Sequence, residues 1–190
     1  MYEKPALRLL IDSFKKHSRL VQQPHVICID GPAGSGKTTL AAQLAHELNA
    51  QTIHMDDLYD GWEGIHNGVE NLVSLILEPL AQGKAGAYRR FDWLANAYAE
   101  THAVPLNSCL VVEGCASATR WVDQFNPFIV WVETDAHTRL KRGLARDGHE
   151  LKEQWLRFME QEMTIYEEER TRQRAHVLLD GFGNIVESRV

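Results

Sequence analysis

The chain holds only three cysteines, Cys28, Cys109 and Cys115, and no two of them form a C-x-x-C pair. That scarcity speaks against a disulfide framework and against a cysteine-built metal site. Two of the three lie within apolar, strand-like runs, which suits buried thiols in a reducing cytoplasm. Positive charge is short as well: 20 Lys and Arg stand against 26 Asp and Glu, a formal net charge of -6. A general nucleic-acid binder needs a basic face to displace counterions from phosphates, so no nucleic-acid partner is expected, although a locally basic cleft is compatible with this balance. The sequence has no run of the roughly 20 apolar residues that a membrane span needs, and no apolar stretch near its start. Neither a span nor a signal peptide is expected, and the expected location is the cytoplasm. Internal repeats, low-complexity tracts and Pro/Gly/Ser-rich linkers are missing too. With 44% hydrophobic content over 190 residues, one compact domain spanning 1–190 is expected, with homo-oligomerisation left open.

What is present is alternation. Leu7, Leu10, Ile11 and Phe14 share one helical face, so residues from about 6 to 20 read as an amphipathic helix, within an N-terminal segment 1–22 packed on the domain. His25–Asp30 (HVICID) reads as a buried parallel strand and Lys37–Leu48 as a helix. Similar apolar runs at 51–55, 110–113, 128–133 and 175–179 are separated by segments long enough for crossover helices. The pattern predicts a three-layer α/β domain around a mainly parallel five-stranded sheet. The connection 83–106 is the least regular part and a candidate specificity element. Trp155, Phe158, Met159, Met163 and Tyr166 recur at helical spacing and read as a packing stripe.

Residues 31–38, GPAGSGKT, fit G-x-x-x-x-G-K-[ST] without a mismatch, between a predicted strand and a predicted helix. Small residues let backbone N–H groups turn toward phosphate oxygens, and the helix start adds its partial positive end. Gly31, Ala33, Gly34, Ser35, Gly36, Lys37, Thr38 and Thr39 are therefore the nucleotide-binding candidates. Lys37 is the residue that reaches the outer phosphates, and Thr38 can ligate Mg²⁺. Residues 110–113 form an apolar run ending in Glu113, where a P-loop fold places a Walker-B-type acid near the metal. ATP and Mg²⁺ are the expected cofactors.

The stretch HMDDLYDGW (54–62) follows the strand after the P-loop helix, so its acids emerge at the sheet edge where ligands bind in open α/β folds. Here the chain resembles the uridine kinase-like branch of P-loop small-molecule kinases, which includes pantothenate kinase and phosphoribulokinase relatives. In that family an Asp of a D-x-[FL]-[YH]-like motif orients or deprotonates the acceptor hydroxyl. Asp56 matches it and Tyr59 matches the family's aromatic substrate contact, with Asp57 the rival for the base. Asp60-Gly61 reads as turn chemistry. Phosphoryl transfer needs such a carboxylate whatever the family, to take the proton of an oxygen held in line with the γ-phosphate.

Arg139, Arg142 and Arg146 align along one helical face, and the resemblance implies an arginine-bearing lid at about 134–150 in which Arg142 and Arg146 neutralise the transferred phosphoryl and exclude water. Residues 88–93, YRRFDW, fall where uridine kinases have an aromatic substrate-recognition segment, which makes Tyr88, Arg90 and Trp93 acceptor-site candidates; a salt-bridged edge strand explains the same letters. The uridine kinase pattern Tyr-Asp-Phe-x-x-His is absent as such. Residues 179–184 resemble the family's adenine-side loop. The leading expectation is ATP-dependent phosphorylation of a small-metabolite hydroxyl, nucleosides first. Alternatives are a kinase for a sugar or pantothenate-like acid, which Arg89 and Arg90 would suit, and a nucleotide-dependent switch. Neither the N-K-x-D nor the L-S-G-G-Q signature of other nucleotide-dependent proteins is present.

Overall fold

The computed structural model describes residues 4–21, 24–106 and 109–190. Helix α1 (Lys4–Ser18) precedes β1 (His25–Asp30), α2 (Lys37–Leu48) and β2 (Gln51–His54). Next come α3 (Ile65–Asn71), which continues through a π-helical stretch, Leu72–Leu77, into α4 (Glu78–Ala81), and a hairpin of β3 (Gly86–Asp92) and β4 (Ala97–Val104). The second half holds β5 (Cys109–Glu113), β6 (Phe128–Glu133), α5 (Ala136–Asp147), α6 (Lys152–Glu169), α7 (Thr171–Arg174), β7 (Val177–Asp180) and β8 (Ile185–Ser188).

The main sheet has the order β2-β5-β1-β6-β7-β8. Its first five strands are parallel, as the apolar runs predict, and β8 adds an antiparallel edge. Successive strand residues point to opposite faces, and β1 shows what each face buries. Ile27 and Ile29 join Leu10 and Phe14 of α1 and Leu40 and Leu44 of α2. Val26 and Cys28 join Ile65 of α3, Leu72, and Phe158 and Ile165 of α6. Two apolar layers on one sheet give the three-layer α/β architecture of P-loop NTPases. All three cysteines are buried and free.

The sequence places β1, α2 and β6 at their observed bounds. Helix α1 ends two residues short of the predicted limit and leaves Leu20 exposed; residues 1–3 and 22 of the N-terminal segment lie outside the described residues. The larger correction falls on 83–106, read as irregular. It is an antiparallel hairpin with a bulge between Arg89 and Phe91. Its turn is tied by the Asp92 carboxylate, which accepts from the N–H groups of Leu94 (3.0 Å) and Ala95 (2.9 Å).

Strand order reverses around β1, whose neighbours β5 and β6 lead to opposite sides of the sheet, and a crevice at such a switch point is where α/β folds take ligands. The turn out of β1 depends on Gly31. Its φ is +136°, and a Cβ there would meet the Val132 carbonyl oxygen at 2.0 Å.

Candidate nucleotide and acceptor site

A cavity of about 870 Å³ opens at the C-terminal tips of β1, β2 and β5. From the predicted phosphate loop, Ala33, Gly34, Gly36, Lys37, Thr38 and Thr39 line it. Gly31 and Ser35 do not line it: Gly31 turns the chain and Ser35 is fully buried, so these two shape the loop rather than its surface. Gly36 caps α2 in a left-handed conformation, φ 105°, with no side chain to compete for the first-turn N–H groups. Lys37 crosses its own loop, its Nζ donating to the carbonyls of Gly31 (2.6 Å) and Pro32 (2.9 Å). Burial pulls the Lys37 pKa down, but Cys115, Glu113, Glu162 and Asp30 around it leave it raised, so the ammonium stays charged. Phosphate oxygens are stronger acceptors than these neutral carbonyls, which a three-donor ammonium can exchange for them.

Glu113 sits at the tip of β5, where its Oε1 accepts from the Thr38 hydroxyl at 3.1 Å and meets His54 Nδ1 at 2.7 Å. That contact to Glu113 is the main reason the His54 pKa is raised. The Thr38 hydroxyl and the Glu113 carboxylate are hard oxygen donors of the kind Mg²⁺ takes. Among the described residues no group of three or more His, Cys, Asp or Glu could hold a metal, so a magnesium ion here would complete its shell with nucleotide oxygens and water. Asp56 opens onto the same cavity from the turn after β2. Its pKa is raised, first because surrounding protein desolvates it and then by Glu113, while Lys37, Arg146 and His54 pull the other way. Asp57 also lines the cavity, and desolvation raises its pKa as well. It is engaged by Tyr88, whose hydroxyl donates to Asp57 Oδ2 at 3.5 Å.

The rings of the acceptor half are not all the expected ones. Trp93 lines the cavity and donates its Nε1 to the Asp56 carbonyl at 2.9 Å, which ties the hairpin turn to the acidic turn. Trp62 stands at the centre, edge-on to Trp93 (5.5 Å), Phe158 (6.0 Å) and Trp155 (6.4 Å). Tyr59, the expected aromatic substrate contact, lines the cavity too, with its ring set into the floor. It is 0% exposed, and its hydroxyl donates to the Cys115 carbonyl at 2.6 Å, so it underpins the cavity floor. Tyr59→Phe is accordingly expected to destabilise the fold by about 1–3 kcal/mol, the effect of orphaning a buried carbonyl, while the acceptor KM stays unchanged; thermal melts and steady-state kinetics check both halves. Tyr88 is misplaced by the sequence: it is buried and stacked on His102, beside a separate cavity of about 350 Å³ with Leu58 and Leu75. Arg90 does line the main cavity, but its guanidinium is engaged by Glu100 (2.7 and 3.1 Å) and Asp92 (3.3 Å). Trp155, part of the predicted packing stripe, is buried and yet lines the cavity, whereas Met163 of the same stripe is exposed.

The three aligned arginines of α5 have three different settings. Arg139 is buried and paired with Glu162. Arg142 lines the cavity and donates to the carbonyls of Gly34 (3.2 Å), Ser35 (3.4 Å) and Gly181 (3.3 Å), with its guanidinium over the Phe182 ring. The loop after β7 is thereby held beside the phosphate loop, on the side expected for adenine. Arg146 also lines the cavity, paired with Asp147 (2.6 Å) and lying over Trp155. Arg139 and Arg142 thus join the first two turns of α5 to the phosphate loop.

The family model described as Novel STAND NTPase 3 matches residues 10–80, the stretch that carries the phosphate loop. Among solved structures, the chain is similar to a possible uridine kinase from Bacillus stearothermophilus, with 22% identity over 92% of this chain and 99% of that one and a TM-score of 0.65. A gluconokinase from Sinorhizobium meliloti 1021 shares 17% identity over 72% of this chain and 75% of that one, TM-score 0.41. A shikimate kinase from Bacteroides thetaiotaomicron shares 15% over 86% and 89%, TM-score 0.41. No curated protein matches the chain. The first of these structures shares the P-loop fold along nearly the whole length of both chains. No helix among the described residues is long and apolar enough to cross a membrane.

Proposed function

We propose that the protein is an ATP-dependent kinase that phosphorylates a hydroxyl of a small metabolite, with nucleosides the leading acceptors. The observation that supports it most is the position of Asp56: a carboxylate that opens onto one cavity with the phosphate loop and with a wall of tryptophans. A nucleotide switch has no need of such a base beside a ring-lined compartment. In the proposed reaction the loop amides and Lys37 would hold the β- and γ-phosphates, and Thr38 and Glu113 would hold Mg²⁺, which when bound would supply charge neutralisation. Asp56 accepts the proton of the acceptor hydroxyl. Arg146, within the field of Asp56 and Glu113, approaches the transferred group from α5, and Arg142 joins the nucleotide side. Flat rings such as Trp62 and Trp93 suit a base.

The second reading, an anionic alcohol bound by Arg90, loses support from the contacts of that residue. Two carboxylates already engage its guanidinium, so an anionic acceptor would have to compete with both. Arg90→Ala is expected to change kcat/KM for a nucleoside by no more than about two- to threefold, the range of a surface substitution. The test is ADP release with Mg·ATP across nucleosides, sugars and pantothenate-like acids. Phosphorylation of uridine or cytidine that survives Arg90→Ala supports the nucleoside reading; turnover of an anionic alcohol alone, abolished by Arg90→Ala, replaces it with the second. Nucleotide binding without a phosphorylated product from any alcohol leaves the switch.

A further inference from the structure

We propose that Glu162 and Arg139 are positioning residues for the phosphate loop: a buried ion pair that grips both the amide and the carbonyl of Ala33 and so sets the shape in which the loop meets a nucleotide. The proposal rests on the nucleotide-binding part of the function above.

Ala33 is the third residue of the glycine-rich loop, and sequence reasoning places its N–H among the phosphate donors. The structure assigns that N–H elsewhere. It donates to Glu162 Oε2 at 2.8 Å, while the Ala33 carbonyl accepts from Arg139 Nη1 at 3.2 Å. The same Nη1 donates to Glu162 Oε1 at 2.5 Å, which closes a ring of charge-assisted bonds. Glu162 is 2% exposed and also accepts from Cys115 Sγ at 3.4 Å, the thiol just after the turn that follows Glu113. A third contact fixes the approach of α5. Gly34 has φ +77°, and a Cβ there would stand 2.7 Å from the Arg139 carbonyl oxygen. The helix backbone and the loop therefore meet with no room for a side chain between them.

Chemistry explains why a pair is needed rather than a lone acid. A carboxylate behind a phosphate loop repels the ligand that the loop is built for. Beside Arg139 its charge is matched, so it can accept the Ala33 N–H without opposing Lys37. A buried ion pair adds little to stability compared with apolar packing, and its best-attested use is to fix one geometry among several. With Ala33 fixed outward, the loop need not be ordered when nucleotide arrives, which lowers the entropic penalty of binding.

Two variants separate positioning from electrostatics. Arg139→Lys keeps the charge but puts a shorter, flexible stem in place of the planar guanidinium whose Nη1 reaches both Glu162 and Ala33. Glu162→Gln keeps the shape and removes a negative charge near the phosphates, so electrostatics alone would tighten nucleotide binding. Isothermal titration calorimetry of the full chain with Mg·ATP is expected to show at least about tenfold weaker binding for both variants, as misplacement of a binding group brings. The double variant should be no weaker than the worse single one, because the pair acts as a unit. Phe14→Leu, on the other face of the sheet, is the control for stability loss alone and should bind Mg·ATP like the wild type. Arg139→Lys binding like the wild type, tighter binding by Glu162→Gln, or a loss no larger than that of an equally destabilised Phe14→Leu would overturn the proposal. A wild-type chain that binds no Mg·ATP would overturn the nucleotide-site reading itself, and this inference with it.

Discussion

Replacing Lys37 by alanine is expected to lower kcat/KM by at least about 10²–10³-fold, the effect of removing one preorganised donor from a developing charge, while far-UV circular dichroism stays that of the wild type. Lys37 is 6% exposed, yet the oxygen partners of its ammonium are the Gly31 and Pro32 carbonyls of its own loop, with the Cys115 thiol at 3.8 Å the one core side chain it meets. Removing it opens space onto the cavity, where water can satisfy both carbonyls, so the fold persists. Stability should still fall somewhat, and the sign follows from linkage. A lysine whose pKa is raised on folding favours the folded state at every pH below its unfolded value, neutral pH included. A small drop in Tm together with a large loss of turnover is therefore the expected pair of results. Wild-type turnover by Lys37→Ala would remove this lysine from the chemistry.

The sequence states the parallel sheet and the phosphate loop clearly because each is written in a local pattern. HVICID is a continuous apolar strand, and the G-x-x-x-x-G-K-T spacing fits only the turn from such a strand into a helix. The hairpin is not written that way. In β4 only Val104 is buried, so Ala97–Val104 carries no apolar alternation, and Arg90 pairs instead with Asp92 on its own strand and with Glu100 across the hairpin. Tyr59 and Tyr88 were legible as rings near the site, but whether a ring faces a cavity or the core depends on chain far away. Gly68 leaves no space for a Cβ beside the Tyr59 ring, and nothing near position 59 announces that. Glu162 was illegible for another reason: it is one acid in a helix of six, and only the approach of Ala33 and Arg139 from 129 and 23 residues away singles it out. His54 had a weak signal, being the last residue of a strand that ends at the ligand edge.

Asp56→Asn is expected to keep nucleotide and acceptor binding and to lose about 10²–10⁴-fold in kcat, the contribution of a positioned general base. The amide preserves the shape of the carboxylate, and the backbone carbonyl that Trp93 Nε1 holds is untouched by the change, so the cavity wall should stand. Proton acceptance alone is removed, and the loss should appear in kcat rather than in KM. The pH profile gives a second handle. Desolvation and Glu113 hold the Asp56 pKa above the ordinary carboxylate range, so the acid limb of wild-type kcat should lie above the roughly 3.9 of a free aspartate and vanish in the variant. The linkage sign is opposite to that of Lys37: an acid whose pKa is raised on folding disfavours the folded state at neutral pH, and the penalty disappears as pH falls through that raised value. Asp56→Asn should therefore melt no lower than the wild type, a gain in stability at the expense of turnover. Asp57→Asn is the internal control. Its carboxylate already accepts from the Tyr88 hydroxyl, so its loss should disturb the hairpin contact more than the chemical step. If Asp57→Asn proves the slower enzyme and Asp56→Asn keeps its kcat, the base lies one residue further along the turn.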